Sequence, residues 1–184
     1  SDGVQVHTET LWRLLQRHRI PTFCFINKMD LPDTDRARLN AHLHSHLSPA
    51  CIDFTLSDED RGLFDEQAAM CSEALMEEYL DSGTLSNKSL CDAIAARQIF
   101  PCLYGTALKL EGVPALLRML DDYTLQPQYP DVFSAKVFKI GRDPQGARLT
   151  YLKITGGSLN VRQPLTYLPL GAAEPVEEKI TGIR

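Results

Sequence analysis

Two short apolar segments, each ending abruptly in a polar loop, constrain the fold of this chain more than any other feature of its sequence. Residues 20–26 end in the loop 27–30 (Asn-Lys-Met-Asp), and residues 99–104 lead into the loop 105–109 (Gly-Thr-Ala-Leu-Lys). A continuous apolar strand is typical of a parallel sheet that is covered on both faces. Ligands of such sheets bind at the carboxyl ends of the strands. The sequence therefore predicts an α/β fold in which these two loops form a binding site.

Helical patterns fill the intervals between these strands and follow the second one. Apolar residues recur at helical spacing in a predicted helix at 63–81, and the last helix is expected to begin near Gly112 with Pro114 in its first turn. The apolar residues expected to face inward in that last helix are Val113, Leu116, Leu117 and Leu120. Further helices are predicted at 8–19, 36–47 and 86–97.

The pattern changes after residue 124. A proline-containing linker at 125–132 is followed by alternating apolar and polar residues at 133–140, 148–155 and 164–168, with turn residues between them. This is typical of antiparallel strands in a barrel or sandwich. The predicted organisation is an α/β domain at 1–124, a linker at 125–132 and a β domain at 133–184.

The loop 27–30 has the chemistry to read guanine. The Asp30 carboxylate offers two acceptors to the N1–H and the exocyclic amine, whereas adenine would present an acceptor at that edge. Asn27 can bridge the base and the neighbouring loop, and the long stem of Lys28 can lie across the ring. The small side chain of Ala107 would let its backbone N–H approach guanine O6.

These loops, together with other segments, resemble elongation factor G and the tetracycline-resistance ribosomal protection proteins. The segments that carry the resemblance are 3–5, 8–13, 20–21, 27–30, 105–108, 135–140, 148–153 and 156–159. The resemblance implies an α/β fold: a partial P-loop-NTPase-type GTPase domain that lacks its N-terminal half, followed by an incomplete antiparallel β-barrel. The nucleotide-binding residues that it implies are Asn27, Lys28, Asp30, Thr106, Ala107 and Leu108.

The function implied by the resemblance is that of a fragment of a ribosome-associated translational GTPase. The parent would bind GTP or GDP with Mg²⁺ and act on the ribosome. The sequence has no Gly-x-x-x-x-Gly-Lys-Ser/Thr motif, so the fragment is expected to contribute guanine specificity without catalysis and to bind GTP at millimolar affinity at best. A helical insertion is expected at about 51–98, and the shortness of the region 31–98 favours the ribosomal protection type over the elongation factor G type.

Two other functions compete with this interpretation. A non-translational Ras-like GTPase would share the guanine loops, but such proteins usually end after the helix predicted at 113–123, so the strands beyond 130 argue against it. A non-catalytic ribosome- or protein-interaction module derived from the same fold remains the alternative.

Charge is distributed unevenly along the chain, whose net charge is −5. Between 53 and 81 there are ten acidic residues and one basic residue, whereas between 133 and 163 there are six basic residues and one acidic residue. In the parent the basic residues would contact ribosomal RNA phosphate, although six bases equally suit a solvated face. They are Lys136, Lys139, Arg142, Arg148, Lys153 and Arg162. A truncated barrel would also leave an open strand edge, which is expected to pair with another chain or be covered by this one.

Metal binding, disulfides and membrane insertion are not favoured by the sequence. Five cysteines without a close pair are expected to be reduced structural thiols. His42, His44 and His46 alternate in sequence, but no carboxylate or cysteine completes a zinc set. No apolar run approaches the length of a membrane helix, and a cytoplasmic protein is expected.

Overall fold

The computed structural model describes residues 3–55, 60–169 and 171–184, and the chain divides into two compact units between Leu125 and Gln126. The first unit contains six α-helices, three strands and a short 3₁₀ helix within the described residues. These are α1 (Val6–Arg17), β1 (Cys24–Ile26), α2 (Arg36–His46), β2 (Cys51–Asp53), α3 (Arg61–Ala69), α4 (Glu73–Ser82), α5 (Asn87–Ala95), β3 (Phe100–Tyr104), the 3₁₀ helix Ala107–Lys109 and α6 (Val113–Tyr123). The described strands of the second unit are β4 (Ser134–Arg142), β5 (Arg148–Gly156), β6 (Pro164–Tyr167) and β7 (Val176–Lys179).

The three strands of the first unit form a parallel sheet in the order β1-β3-β2. The central strand β3 is buried along its whole length. Successive residues of β2 enter different hydrophobic clusters, because Cys51 packs with Trp12 and Phe100 whereas Ile52 packs with Leu90. Both faces of the sheet are therefore covered, as the apolar segments predicted, and the mixed α/β architecture with a parallel sheet is confirmed.

The predicted helix at 63–81 is two helices, α3 and α4. The amides of Cys71 and Ser72 bond to the carbonyls of Ala68 and Ala69, which tightens the end of α3, and Ser72 is extended at φ −155° before α4 begins. The break lets Ala68 and Leu75 enter one hydrophobic cluster, where their exposed fractions are 0% and 2%. The prediction of one continuous helix was therefore wrong, because burial of both apolar segments outweighs helical continuity here.

The inward face of α6 also differs from the prediction. Leu117 and Leu120 are exposed, whereas Met119 is buried. Helix α6 packs against α5, where the Cys91 thiol lies 3.4 Å from the carbonyl oxygen of Asp122. Two of the four positions that were predicted to face inward, Leu117 and Leu120, therefore point to solvent.

The second unit consists of two separate antiparallel pairs, β4–β5 and β6–β7, within the described residues. The turn after β4 is held by Asp143, whose carboxylate accepts hydrogen bonds from the amides of Gln145 and Ala147 at 3.0 and 2.8 Å. Gly146 in this turn has φ +86°, a conformation that favours glycine. Within 126–169 and 171–184, β4 pairs with β5 alone, so the incomplete barrel and the fate of its open edge stay predictions.

We expect Leu90→Ala to lower the free energy of unfolding by about 2–5 kcal/mol, because it removes a fully buried side chain from the core of the first unit. Urea unfolding followed by the fluorescence of Trp12, the single tryptophan of the chain, measures this loss. Leu80→Ala is the matched control, since Leu80 is 77% exposed. Equal losses in the two variants would contradict this description of the core.

Candidate functional site

The two polar loops meet at the carboxyl ends of β1 and β3. Ile26 is the register partner of Tyr104, so both strands end at the same edge of the sheet. The Gly105 amide donates to the Ile26 carbonyl at 3.0 Å, and the Met29 amide donates to the Gly105 carbonyl at 3.1 Å. The parallel pairing of the strands thus continues into the loops and joins them.

Asn27 joins the two loops by hydrogen bonds to its side-chain oxygen. Its Oδ1 accepts hydrogen bonds from the backbone amides of Lys28 at 2.8 Å and of Ala107 at 2.9 Å. Lys28 has φ +66°, which is uncommon for a residue other than glycine and is typical of functional loops. The Ala107 amide, predicted to face a ligand, donates in this structure to Asn27.

Asp30, in the same loop as Asn27, forms an ion pair with the second loop. Its Oδ2 is 2.7 Å from Nζ of Lys109, and the buried Thr106 also contributes to lowering the pKa of the same carboxylate. The ammonium group of Lys109 is the main reason that the pKa of Asp30 lies below its usual value of 3.8. Asp30 in turn raises the pKa of Lys109. The carboxylate is therefore ionised at neutral pH and remains about a quarter exposed.

Lys109 is the residue of this site for which the sequence alone indicates no role. It stands in the loop 105–109, but the sequence does not show that its side chain reaches a carboxylate 79 positions earlier in the chain. A cation three residues after Thr106 was the available signal, and only the closeness of the two loops gives that signal a meaning.

Glycine at 105 is required by the close approach of the second loop to the sheet. A Cβ at this position would lie 2.3 Å from the Glu111 carbonyl oxygen and 2.7 Å from Cζ of Phe25. The buried Thr106 continues the loop with a backbone bond from its amide to the Glu111 carbonyl at 2.9 Å. Leu108, in contrast, is 94% exposed next to the carboxylate loop.

The chemistry of this arrangement fits a guanine base. An ionised carboxylate offers paired acceptors, as the adjacent donors of the guanine edge require, and the exposed Leu108 offers apolar surface to a flat ring. The six residues predicted to bind nucleotide therefore lie on two joined loops, although Ala107 and Asp30 both have internal partners here.

The three alternating histidines have different structural partners. His42 Nδ1 accepts from the Val4 amide at 2.9 Å, and His44 Nε2 is 2.8 Å from the Cys51 carbonyl oxygen. His46 Nδ1 is 3.0 Å from a carboxylate oxygen of Glu9. Within 3–55, 60–169 and 171–184, no group of three or more histidine, cysteine or acidic side chains is placed to hold a metal ion.

The cysteines and helices add two further observations. All five cysteines are free thiols, and Cys51, Cys91 and Cys102 are buried. None of the helices in the described part of the chain is both long enough and apolar enough to cross a membrane.

The six basic residues between 133 and 163 do not form one cluster. Lys136 is opposite Lys153 in the register, and Nζ of Lys139 lies 5.2 Å from the ring centre of Tyr151, which shares a face of β5 with Lys153. These three lysines therefore occupy one face of the β4–β5 hairpin, which we term the lysine face. Arg142 and Arg148 pair with each other on the opposite face, and Arg162 precedes β6.

Two comparisons with known proteins agree with the fold. The sequence model described as elongation factor Tu GTP binding domain matches residues 1–126. A crystal structure of a protein from Thermus thermophilus superposes with a TM-score of 0.69 at 21% sequence identity, over 97% of this chain and 35% of that protein. The chain thus spans about a third of that protein's length, and a likeness at this identity shows the fold.

We expect Lys109→Met to raise the pKa of Asp30 toward its usual value, because the ammonium group is the main cause of its depression. The pair stabilises the fold above the unfolded-state pKa of Asp30, and this stabilisation disappears as the pH falls through the lower folded-state pKa. A pH titration of the Asp30 carboxyl ¹³C resonance measures the shift. Lys88→Met, which breaks the exposed Lys88–Asp92 ion pair, should leave the resonance unchanged. An unaltered titration in Lys109→Met would show that the ion pair does not form in solution.

Proposed function

We propose that this chain, which belongs to the elongation factor Tu GTP-binding domain family, supplies the guanine-reading half of a ribosome-dependent translational GTPase. The observation that carries the proposal is the hydrogen bond from the Ala107 amide to Asn27 Oδ1, which joins the loop bearing Asp30 to the loop bearing Ala107. A site that must read one base with two loops needs those loops held at a fixed separation.

In this proposal each residue has a separate task. Asp30 accepts from the N1–H and the exocyclic amine of guanine, and rejects adenine because its carboxylate would face an acceptor. The stem of Lys28 covers one side of the guanine ring, and the exposed Leu108 provides a further apolar contact to the ring. Asn27 keeps the two loops in register through its bond from the Ala107 amide.

Nucleotide hydrolysis depends on groups that this sequence does not contain. The chemistry of GTP hydrolysis comes from phosphate positioning and Mg²⁺, and the sequence has no Gly-x-x-x-x-Gly-Lys-Ser/Thr motif. We therefore propose that the isolated chain does not hydrolyse GTP and contributes base specificity to a longer cytoplasmic protein. Among translational GTPases, the short region 31–98 favours the ribosomal protection type associated with tetracycline resistance, with the elongation factor G type next.

We expect Asp30→Asn to lower the affinity of the chain for guanosine about tenfold or more, because two charge-assisted hydrogen bonds are lost. The same change should raise the affinity for xanthosine, since the new amide can donate to the xanthine 2-oxo group. Ligand-observed NMR titrations with both nucleosides measure the switch. Asp33→Asn removes a nearby exposed charge and should alter neither affinity. Guanosine affinity that is unchanged in Asp30→Asn would refute the assignment of Asp30.

The lysine face is the part of the second unit that we propose to contact ribosomal RNA. Lys136 and Lys153 are directly opposite each other, and like charges in that position destabilise a sheet unless an anion compensates them. Three cations on one face of a hairpin suit a phosphate backbone, which binds without sequence specificity and with a strong dependence on salt. Arg142 is less suited because it donates to the Gly146 carbonyl within its own turn.

We expect the double change Lys136→Glu and Lys153→Glu, made in the longer protein, to weaken ribosome binding. The slope of the logarithm of affinity against the logarithm of salt concentration should fall by the equivalent of about two phosphate contacts. Sedimentation with ribosomes over a range of salt concentrations measures both effects. Reversal of Arg142 and Arg148 on the opposite face is the matched comparison and should have the smaller effect. If neither pair changes affinity or salt dependence, the basic residues form only a solvated face.

A further inference from the structure

The polar groups that would read the base are already paired with other groups of the protein. Nζ of Lys109 lies 2.7 Å from Oδ2 of Asp30, and Oδ1 of Asn27 accepts from the Ala107 amide at 2.9 Å. Both contacts cross between the loop 27–30 and the loop 105–109. The base-reading groups are therefore occupied by side chains of the same protein.

These internal partners present the same kinds of hydrogen-bond donor and acceptor as guanine would. The Lys109 ammonium group presents N–H donors to the carboxylate, as the N1–H and exocyclic amine of guanine would. The Asn27 side-chain oxygen presents an acceptor to the Ala107 amide, as guanine O6 would. One loop pair thus satisfies, within the protein, the same donor and acceptor groups that recognition of the base would use.

The two internal partners differ in how firmly they are held. Asn27 Oδ1 accepts from a second backbone amide, that of Lys28, at 2.8 Å. Lys109 lies at the end of the short 3₁₀ helix, and its side chain is 54% exposed. A lysine ammonium on a flexible four-carbon stem can leave an exposed carboxylate and be hydrated at once. Lys109 is therefore the partner that an entering base can displace.

We propose that Lys109 competes with guanine for the Asp30 carboxylate and must release Oδ2 before the base can bind. The proposal rests on the function proposed above, in which Asp30 reads guanine. The competition lowers the apparent affinity of any base that must displace Lys109 by one common factor, which is set by the fraction of molecules whose carboxylate is already released. The effect should weaken with salt, because exposed ion pairs are screened.

Guanosine tests the competition directly, since it carries the base without phosphate groups that could attract Lys109. We expect Lys109→Met to tighten guanosine binding to the chain about two- to fivefold in low salt, the range typical of one exposed ion pair. This difference from the unmodified chain should shrink as the salt concentration rises. Lys109→Arg retains the cation and should bind guanosine as the unmodified chain does.

Two further variants separate failure of this inference from failure of the proposed function. Lys88→Met removes another exposed ion pair, Lys88–Asp92, and should leave guanosine affinity unchanged. Asp30→Ala should abolish guanosine binding. If Asp30→Ala abolishes binding but Lys109→Met leaves it unchanged or weaker, the competition is overturned while base reading stands. If guanosine binds to no variant, or binds equally to Asp30→Ala and the unmodified chain, both the function and the inference are overturned.

Discussion

The structure of the site depends on the side-chain oxygen of Asn27, which accepts separate hydrogen bonds from the amides of Lys28 and Ala107. Each such bond contributes only about 0.5–1.5 kcal/mol to stability, but the one from Ala107 fixes the distance between loops that are 80 residues apart in sequence. The bond can form because β1 and β3 are parallel neighbours that end together, with Ile26 opposite Tyr104. The parallel sheet sets the position of the loops, and Asn27 sets their separation.

The charge of Asp30 is balanced by an exposed partner. The carboxylate is ionised and paired with the ammonium group of Lys109, which neutralises it. The Asn27 side-chain oxygen, in contrast, accepts from two backbone amides and is held more firmly. The loops are therefore fixed by a bond to the backbone, whereas the carboxylate has a partner on a flexible side chain.

The sequence predicted that the two loops would meet better than it predicted the elements around them. Asn27, Asp30 and Ala107 were chosen because the chemistry of reading guanine restricts residue types strongly at the ends of two strands, and their role stays a prediction. The strand β2 was missed because three residues, Cys51–Asp53, are too few to show a periodicity. The separation of the lysine face from Arg142 and Arg148 also escaped prediction. It depends on the register shift between Val137 and Lys139, which sequence alternation does not reveal.

We propose that the joined loops recognise guanine rather than nucleotides in general. An NMR titration of the ¹⁵N-labelled chain with millimolar GDP, and separately with ADP, distinguishes the two cases. GDP should shift the amide resonances of Lys28, Asp30 and Ala107, and ADP at equal concentration should leave them in place. Equal shifts with the two nucleotides, or shifts with GDP confined to residues away from these loops, would contradict it.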